Sequence, residues 1–301
     1  MNRRSFAQCV AMASLSAVAP SFPAAAESGD HAAKRSLFPL SVMLWTVFKD
    51  LPFEERLAKV AEAGYTNVEL VGEYRDWTAA DFARANAARK RLGIEFDATA
   101  GMSHGVADPA SREAFLAELT KALVPMETLG CPAMIVLSGN VVAGLTREQQ
   151  HQAAIDTLTR AAALIDGRRI NGQPVRLLLE CIDPEENPHY FLQTAAEAIA
   201  VVRAVHHPQV QFLYDLFHEQ TAAGNLIEKL EKHIDVIGLI HVADVPGRHE
   251  PGTGEINYAN IYRKLIELNY RHAAAMEFYP TGDAVTTLRR AKAFAESPGK
   301  G

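Results

Sequence analysis

Residues 175–180 read Val175-Arg176-Leu177-Leu178-Leu179-Glu180, and residues 210–215 read Val210-Gln211-Phe212-Leu213-Tyr214-Asp215. Each is a short, mostly apolar run closed by a carboxylate, which reads as a buried strand. Between them, residues 195–205 read Ala-Ala-Glu-Ala-Ile-Ala-Val-Val-Arg-Ala-Val, a helical stretch. Strand, helix, strand is the unit of a parallel sheet, because parallel neighbours need a crossover between them. Working outward, the same alternation runs along the chain. Strands are expected at 40–45, 67–71, 94–98, 133–137, 236–241 and 272–277 besides the two quoted. Helices are expected at 53–63, 82–92, 112–129, 148–166, 227–233, 261–268 and 285–295 as well as 195–205. Gly64, Gly93, Gly130 and Gly167 follow four of them, where helix C-caps belong. Eight strand-helix units within one domain favour a closed (β/α)8 TIM barrel of the α/β class over an open sheet. An open doubly wound sheet usually carries a glycine-rich loop after its first strand, and here that loop reads Thr46-Val47-Phe48-Lys49-Asp50. No break in composition divides residues 37–297, which read as a single domain.

The segment before the barrel has a different character. Arg3-Arg4-Ser5-Phe6 precedes a mildly apolar run over 7–20 and then Ala24-Ala25-Ala26. This is the pattern of a twin-arginine export signal over 1–26, with a linker over 27–36. The apolar run is too short and too weakly apolar to span a bilayer. A periplasmic or secreted protein is therefore expected, with no stable membrane association after cleavage. The alternative for this segment is a disordered tail. The net charge of −6 becomes −8 once Arg3 and Arg4 leave, a poor balance for binding a nucleic-acid backbone. Of the three cysteines, Cys9 goes with the signal. Cys131 and Cys181 each sit beside a strand and read as separate buried thiols.

In a (β/α)8 barrel the active site forms at the C-terminal ends of the strands. The last four strands end in Glu180, Asp215, His241 and Glu277. Taken singly, each has a simpler explanation. A carboxylate closing a strand caps a helix or turns to solvent, and a lone histidine is a hydrogen-bonded core residue. Taken together, three carboxylates converging on one mouth repel one another and cannot all stay ionised unaided. A bound divalent cation resolves that conflict. Three carboxylates and an imidazole suit Mn2+ or Mg2+, with Co2+ also admissible. His218 lies three residues beyond the strand-6 acid, near the same mouth. Arg248, in the loop Val245-Pro246-Gly247-Arg248-His249-Glu250-Pro251, is placed either to grip a substrate carboxylate or as a solvated loop charge. Glu186 either reaches a substrate hydroxyl or is a surface acid. His249 is more simply structural. Glu69 and His104 are near the pocket and are given no role.

These residues carry a family resemblance. Leu51-Pro52-Phe53-Glu54-Glu55-Arg56, Tyr214-Asp215-Leu216-Phe217-His218, Gly224-Asn225-Leu226, the loop just quoted, Gly254-Glu255-Ile256-Asn257-Tyr258 and Met276-Glu277-Phe278-Tyr279-Pro280 resemble hydroxypyruvate isomerase, within the xylose isomerase-like barrel superfamily. The resemblance implies that Glu180, Asp215, His241 and Glu277 hold the metal. It implies that Glu180 and Glu277 also move protons, through a cis-enediol, on a small hydroxy-carbonyl substrate. Similarity to the ketose 3-epimerases implies that His218 and Arg248 contact substrate oxygens. At His241 the isomerases tend to have glutamine and the epimerases histidine, and Leu239 and Asp244 also depart from the isomerase pattern. A sugar isomerase or ketose 3-epimerase on the same site is the nearest rival reading. A non-catalytic exported sugar-binding barrel is another. A DNA-repair phosphodiesterase would need further histidines where strands 2 to 4 end in Val71, Ala98 and Leu137. A homo-oligomer is compatible with all of them.

Overall fold

A computed structural model describes residues 38–298. The export signal expected over 1–26 and the linker over 27–36 lie outside the described residues. Eight parallel strands close into a barrel: β1 Leu40–Met43, β2 Asn67–Leu70, β3 Glu95–Thr99, β4 Ala133–Leu137, β5 Arg176–Glu180, β6 Val210–Asp215, β7 Ile237–Val242 and β8 Ala274–Met276. The first strand pairs with the last through Leu40↔Ala274 and Val42↔Met276, so the sheet has no open edge. The helices are α1 Phe53–Glu62, α2 Ala79–Leu92, α3 Arg112–Leu129, α4 Arg147–Ile165, α5 Ala195–Val205, α6 Leu216–Ala222, α7 Leu226–His233, α8 Tyr258–Glu267 and α9 Ala284–Glu296. The fold is the (β/α)8 barrel that the alternation predicts.

Three local differences from the sequence reading have physical causes. The β6 to β7 connection holds two helices where one was expected. The extra one, α6, starts directly on Asp215, whose Oδ1 accepts from the backbone N–H of Phe217 at 2.7 Å and of His218 at 3.3 Å. Helix α2 begins three residues early because Thr78 and Asp81 form a reciprocal capping box. Strand β1 stops at Met43, and residues 44–46 make a 3-10 turn that carries Trp45 out of the ladder.

Alternation along each strand separates two cores. Outward residues such as Val42, Val68, Leu177 and Phe212 pack beneath the helices with Leu57, Leu119 and Leu158. Inward residues, among them Met43, Ala98, Ile135, Leu178, Leu213 and Leu239, fill the barrel itself. Cys131 and Cys181 are buried and unpaired, as expected. No helix among the described residues is long and apolar enough to cross a membrane.

Candidate active site

The inward positions of the barrel dictate where the polar residues go. Leu178, Leu213 and Leu239 lie in the inner core, and two residues further on are Glu180, Asp215 and His241. The strand period of two keeps these on the same inner face. Ala275 faces His241 across the β7–β8 ladder, His241 faces Asp215 across β6–β7, and Glu277 follows Ala275 by two. All four side chains are buried, and one ligand-capable atom of each lies within 4.8 Å of the others.

Their partners fix their roles. Glu277 Oε1 accepts from the Trp45 indole Nε1 at 2.6 Å, and its Oε2 accepts from Arg248 Nη2 at 2.8 Å. His241 Nε2 lies 2.9 Å from Oε2 of the wholly buried Glu69. With that carboxylate taking the Nε2 proton, Nδ1 faces the acids. Nδ1 comes within 2.7 Å of Glu277 Oε2 and 3.8 Å of Glu180 Oε1, but the approach lacks the direction of a hydrogen bond, so the buried nitrogen stays without one. An imidazole oriented by a carboxylate behind it, with its other nitrogen unsatisfied among acids, is the arrangement of a metal-ligating histidine. The donor set and its convergence fit a divalent cation.

The acids do not titrate alike. Burial pushes the Glu180 carboxyl up, to about 7, with His241 opposing and Glu277 adding to the rise. Burial acts the same way on Glu277, but Arg248 and His241 outweigh it and hold this carboxyl well below its ordinary range. Asp215 serves twice: Oδ1 caps α6, while Oδ2 accepts from Arg248 Nη2 at 3.0 Å.

Arg248 reaches the acids from a braced loop. Asp244 Oδ1 accepts from the backbone N–H of Val245 and Ile256, both at 3.0 Å. Its Oδ2 accepts from those of Gly252 and Gly254, both at 2.9 Å. A Cβ on Gly254 would stand 2.0 Å from the Val245 carbonyl oxygen, so no other residue fits there. Arg248 itself holds a left-handed backbone, φ 55°, a conformation that costs a non-glycine residue about 1–2 kcal/mol. Its guanidinium lies 4.9 Å from the Phe217 ring centre and 5.6 Å from that of Trp45. Nη1 donates to Glu186 at 2.9 Å and lies 3.2 Å from His218 Nε2. The other nitrogen of that ring, His218 Nδ1, meets the buried Asp183 at 2.6 Å.

A profile of the family described as xylose isomerase-like TIM barrel matches residues 57–297. The chain belongs to that family. A putative hydroxypyruvate isomerase of Danio rerio is 30% identical over 257 residues, covering 80% of this chain and 90% of that protein. A 2-oxo-tetronate isomerase of Haemophilus influenzae is 31% identical over 253 residues, covering 81% and 95%. Among solved structures, an AP endonuclease, family 2, of Brucella melitensis superposes with a TM-score of 0.74 at 28% identity, covering 83% of this chain and 97% of that one.

Within this member of the xylose isomerase-like family, the seven residues singled out from sequence come together at one end of the barrel. Glu180, Asp215, His241 and Glu277 form the centre, and His218, Arg248 and Glu186 line one side. Arg248 differs in detail from the expectation: protein acids, rather than open space for a ligand, already engage its guanidinium. Glu186 is half-exposed at the outer end of that contact. His249 turns away to the Tyr279 carbonyl, and His104 pairs with Glu118 at the surface. Sequence reasoning gave no role to Glu69, Trp45, Asp183 or Asp244. For Glu69 a signal existed: an acid at an inward position of the apolar run Asn67-Val68-Glu69-Leu70 has to find a buried partner.

Proposed function

We propose that the protein is a metal-dependent isomerase that shifts a proton between adjacent carbons of a small hydroxy-carbonyl compound. Conversion of hydroxypyruvate to tartronate semialdehyde is the reaction to test first. The convergence of the Glu180, Asp215, His241 and Glu277 donor atoms within 4.8 Å carries the reading. The similarity to hydroxypyruvate and 2-oxo-tetronate isomerases supports it.

In this reading Glu180, Asp215, His241 and Glu277 hold one divalent cation, Mn2+ or Mg2+ by the hardness of the oxygen donors with Co2+ admissible, which supplies several kcal/mol of Lewis-acid stabilisation to developing negative charge. The two glutamates move the protons. One takes the proton from the hydroxyl-bearing carbon, giving a cis-enediol, and the other returns a proton to the neighbouring carbon. Each positioned group contributes about 10²–10⁴-fold. Trp45 fixes the Glu277 carboxylate by its indole hydrogen bond. Asp183 holds the His218 ring, and His218 Nε2 and Arg248 bind substrate oxygens. A substrate carboxylate would take the place of Glu186 on Arg248 Nη1, since Glu186 has solvent to turn to. The twin-arginine-like pattern over 1–26 supports a periplasmic or secreted location for this activity, which fractionation of the source cells tests.

The deciding experiment is solvent exchange. Protein with Mn2+ in D2O should put deuterium into hydroxypyruvate, and Glu277→Gln should lose at least about 100-fold of that rate with an unchanged circular dichroism spectrum. Exchange by the variant at the wild-type rate would exclude the mechanism.

A further inference from the structure

The barrel mouth is split by chemistry. On β5 to β8 the position two beyond an inward core residue is an acid or a histidine. On β1 to β4 the corresponding positions are Trp45, Val71, Ala100 and Leu137, two beyond Met43, Glu69, Ala98 and Ile135. All four line the same cavity as Glu180, His218 and Glu277. That cavity is about 240 Å3, below the roughly 300–1,000 Å3 usual for ligand pockets. Among the described side chains of the β1–β4 half, the Trp45 indole is the hydrogen-bonding group, and Glu277 already takes its proton.

We infer that the substrate is a 2-oxo-3-hydroxy acid whose group on carbon 3 is hydrogen or a short alkyl chain rather than a polyol chain. The inference rests on the isomerase reading and narrows it. The carboxylate and the two reacting oxygens belong to the polar half, beside Arg248, His218 and the two glutamates. The remaining group then lies against Val71 and Leu137. A hydroxyl packed against them would find no side-chain partner, a loss of about tenfold in affinity. An alkyl group gains from the same burial. The chemistry balances without a co-reactant. One glutamate removes the proton from carbon 3 and the other returns one to carbon 2, while the hydroxyl proton passes from the carbon 3 oxygen, which becomes the carbonyl, to the carbon 2 oxygen, which becomes the hydroxyl.

The test uses two acids that differ by one hydroxyl on carbon 4. Protein with Mn2+ in D2O is offered 3-hydroxy-2-oxobutanoate and, separately, 2-oxo-tetronate. The exchange kcat/KM should favour the first by about tenfold or more. Calorimetric Kd values for the unreactive 2,3-dihydroxybutanoate and 2,3,4-trihydroxybutanoate should fall in the same order. The near-isosteric Val71→Thr should narrow the preference, and Leu137→Asn, at a more exposed position, should do the same. Exchange into hydroxypyruvate with equal or reversed preference between the pair overturns this inference alone. No exchange into any of the three overturns the isomerase reading beneath it.

Discussion

Glu69 reaches none of the acids at the mouth and still decides how they are served. Its carboxylate takes the Nε2 side of His241 and so aims Nδ1 inward. Carboxylates behind ligating histidines are typically worth 10- to 100-fold in metal affinity. Glu69→Gln should therefore weaken Mn2+ binding by about that factor in a calorimetric titration while the far-ultraviolet spectrum stays the same. Unaltered affinity would mean that His241 does not depend on Glu69. Glu180, Asp215, His241 and Glu277 stand where apolar runs stop, and each stop is visible locally. Glu69 and Trp45 take their meaning from partners 172 and 232 residues away. No local pattern encodes such a contact; barrel closure creates it.

Among the elements, caps account for most of the differences between pattern and structure. Hydrophobic periodicity places the middle of α2 well but misses its first turn, whose residues Ala79 and Ala80 carry no apolar stripe. Thr78 and Asp81 supply that turn by satisfying each other's backbone N–H groups. Thr78→Ala should lower unfolding stability by about 1 kcal/mol, read from urea denaturation, with isomerase kinetics unaffected. Helix α6 was invisible for a related reason. Its seven residues are too few to show a 3.6-residue period, and its start depends on Asp215, a residue that also belongs to the mouth. One side chain thus anchors a helix and joins the acid cluster at the mouth.

For the molecule as a whole, a divalent cation held among the mouth acids would add to the stability that Arg248 and His241 already lend them. Saturating the site at about 100 times Kd should add about 2.7 kcal/mol of stability, roughly 5–8 °C in Tm for a domain of this size. Differential scanning calorimetry with Mn2+, and then with excess EDTA, should show the gain and its reversal. Acid should act at the other end of the barrel. His272 is held neutral there by burial and by Arg176, whose Nη1 lies 3.3 Å from its Nδ1, and its pKa falls to about 4. An unfolded histidine titrates near 6.5. The unfolded chain therefore binds more protons between those values. Stability is full above about pH 6.5 and declines as pH falls towards 4. Because the ring is partly solvated, the loss should be about 1–2 kcal/mol. Denaturation of His272→Gln should show a shallower acid slope than wild type, and identical slopes would assign no part of the pH response to this residue. The seam that closes the barrel has one more consequence. Trp45 comes from just past the first strand's end and Glu277 from just past the last, so the cluster proposed to hold a cation is not assembled until both have docked. On the ribosome, a nascent polypeptide lacking its final strand would carry scattered acids and no pocket, and metal capture would report that synthesis of the barrel is complete.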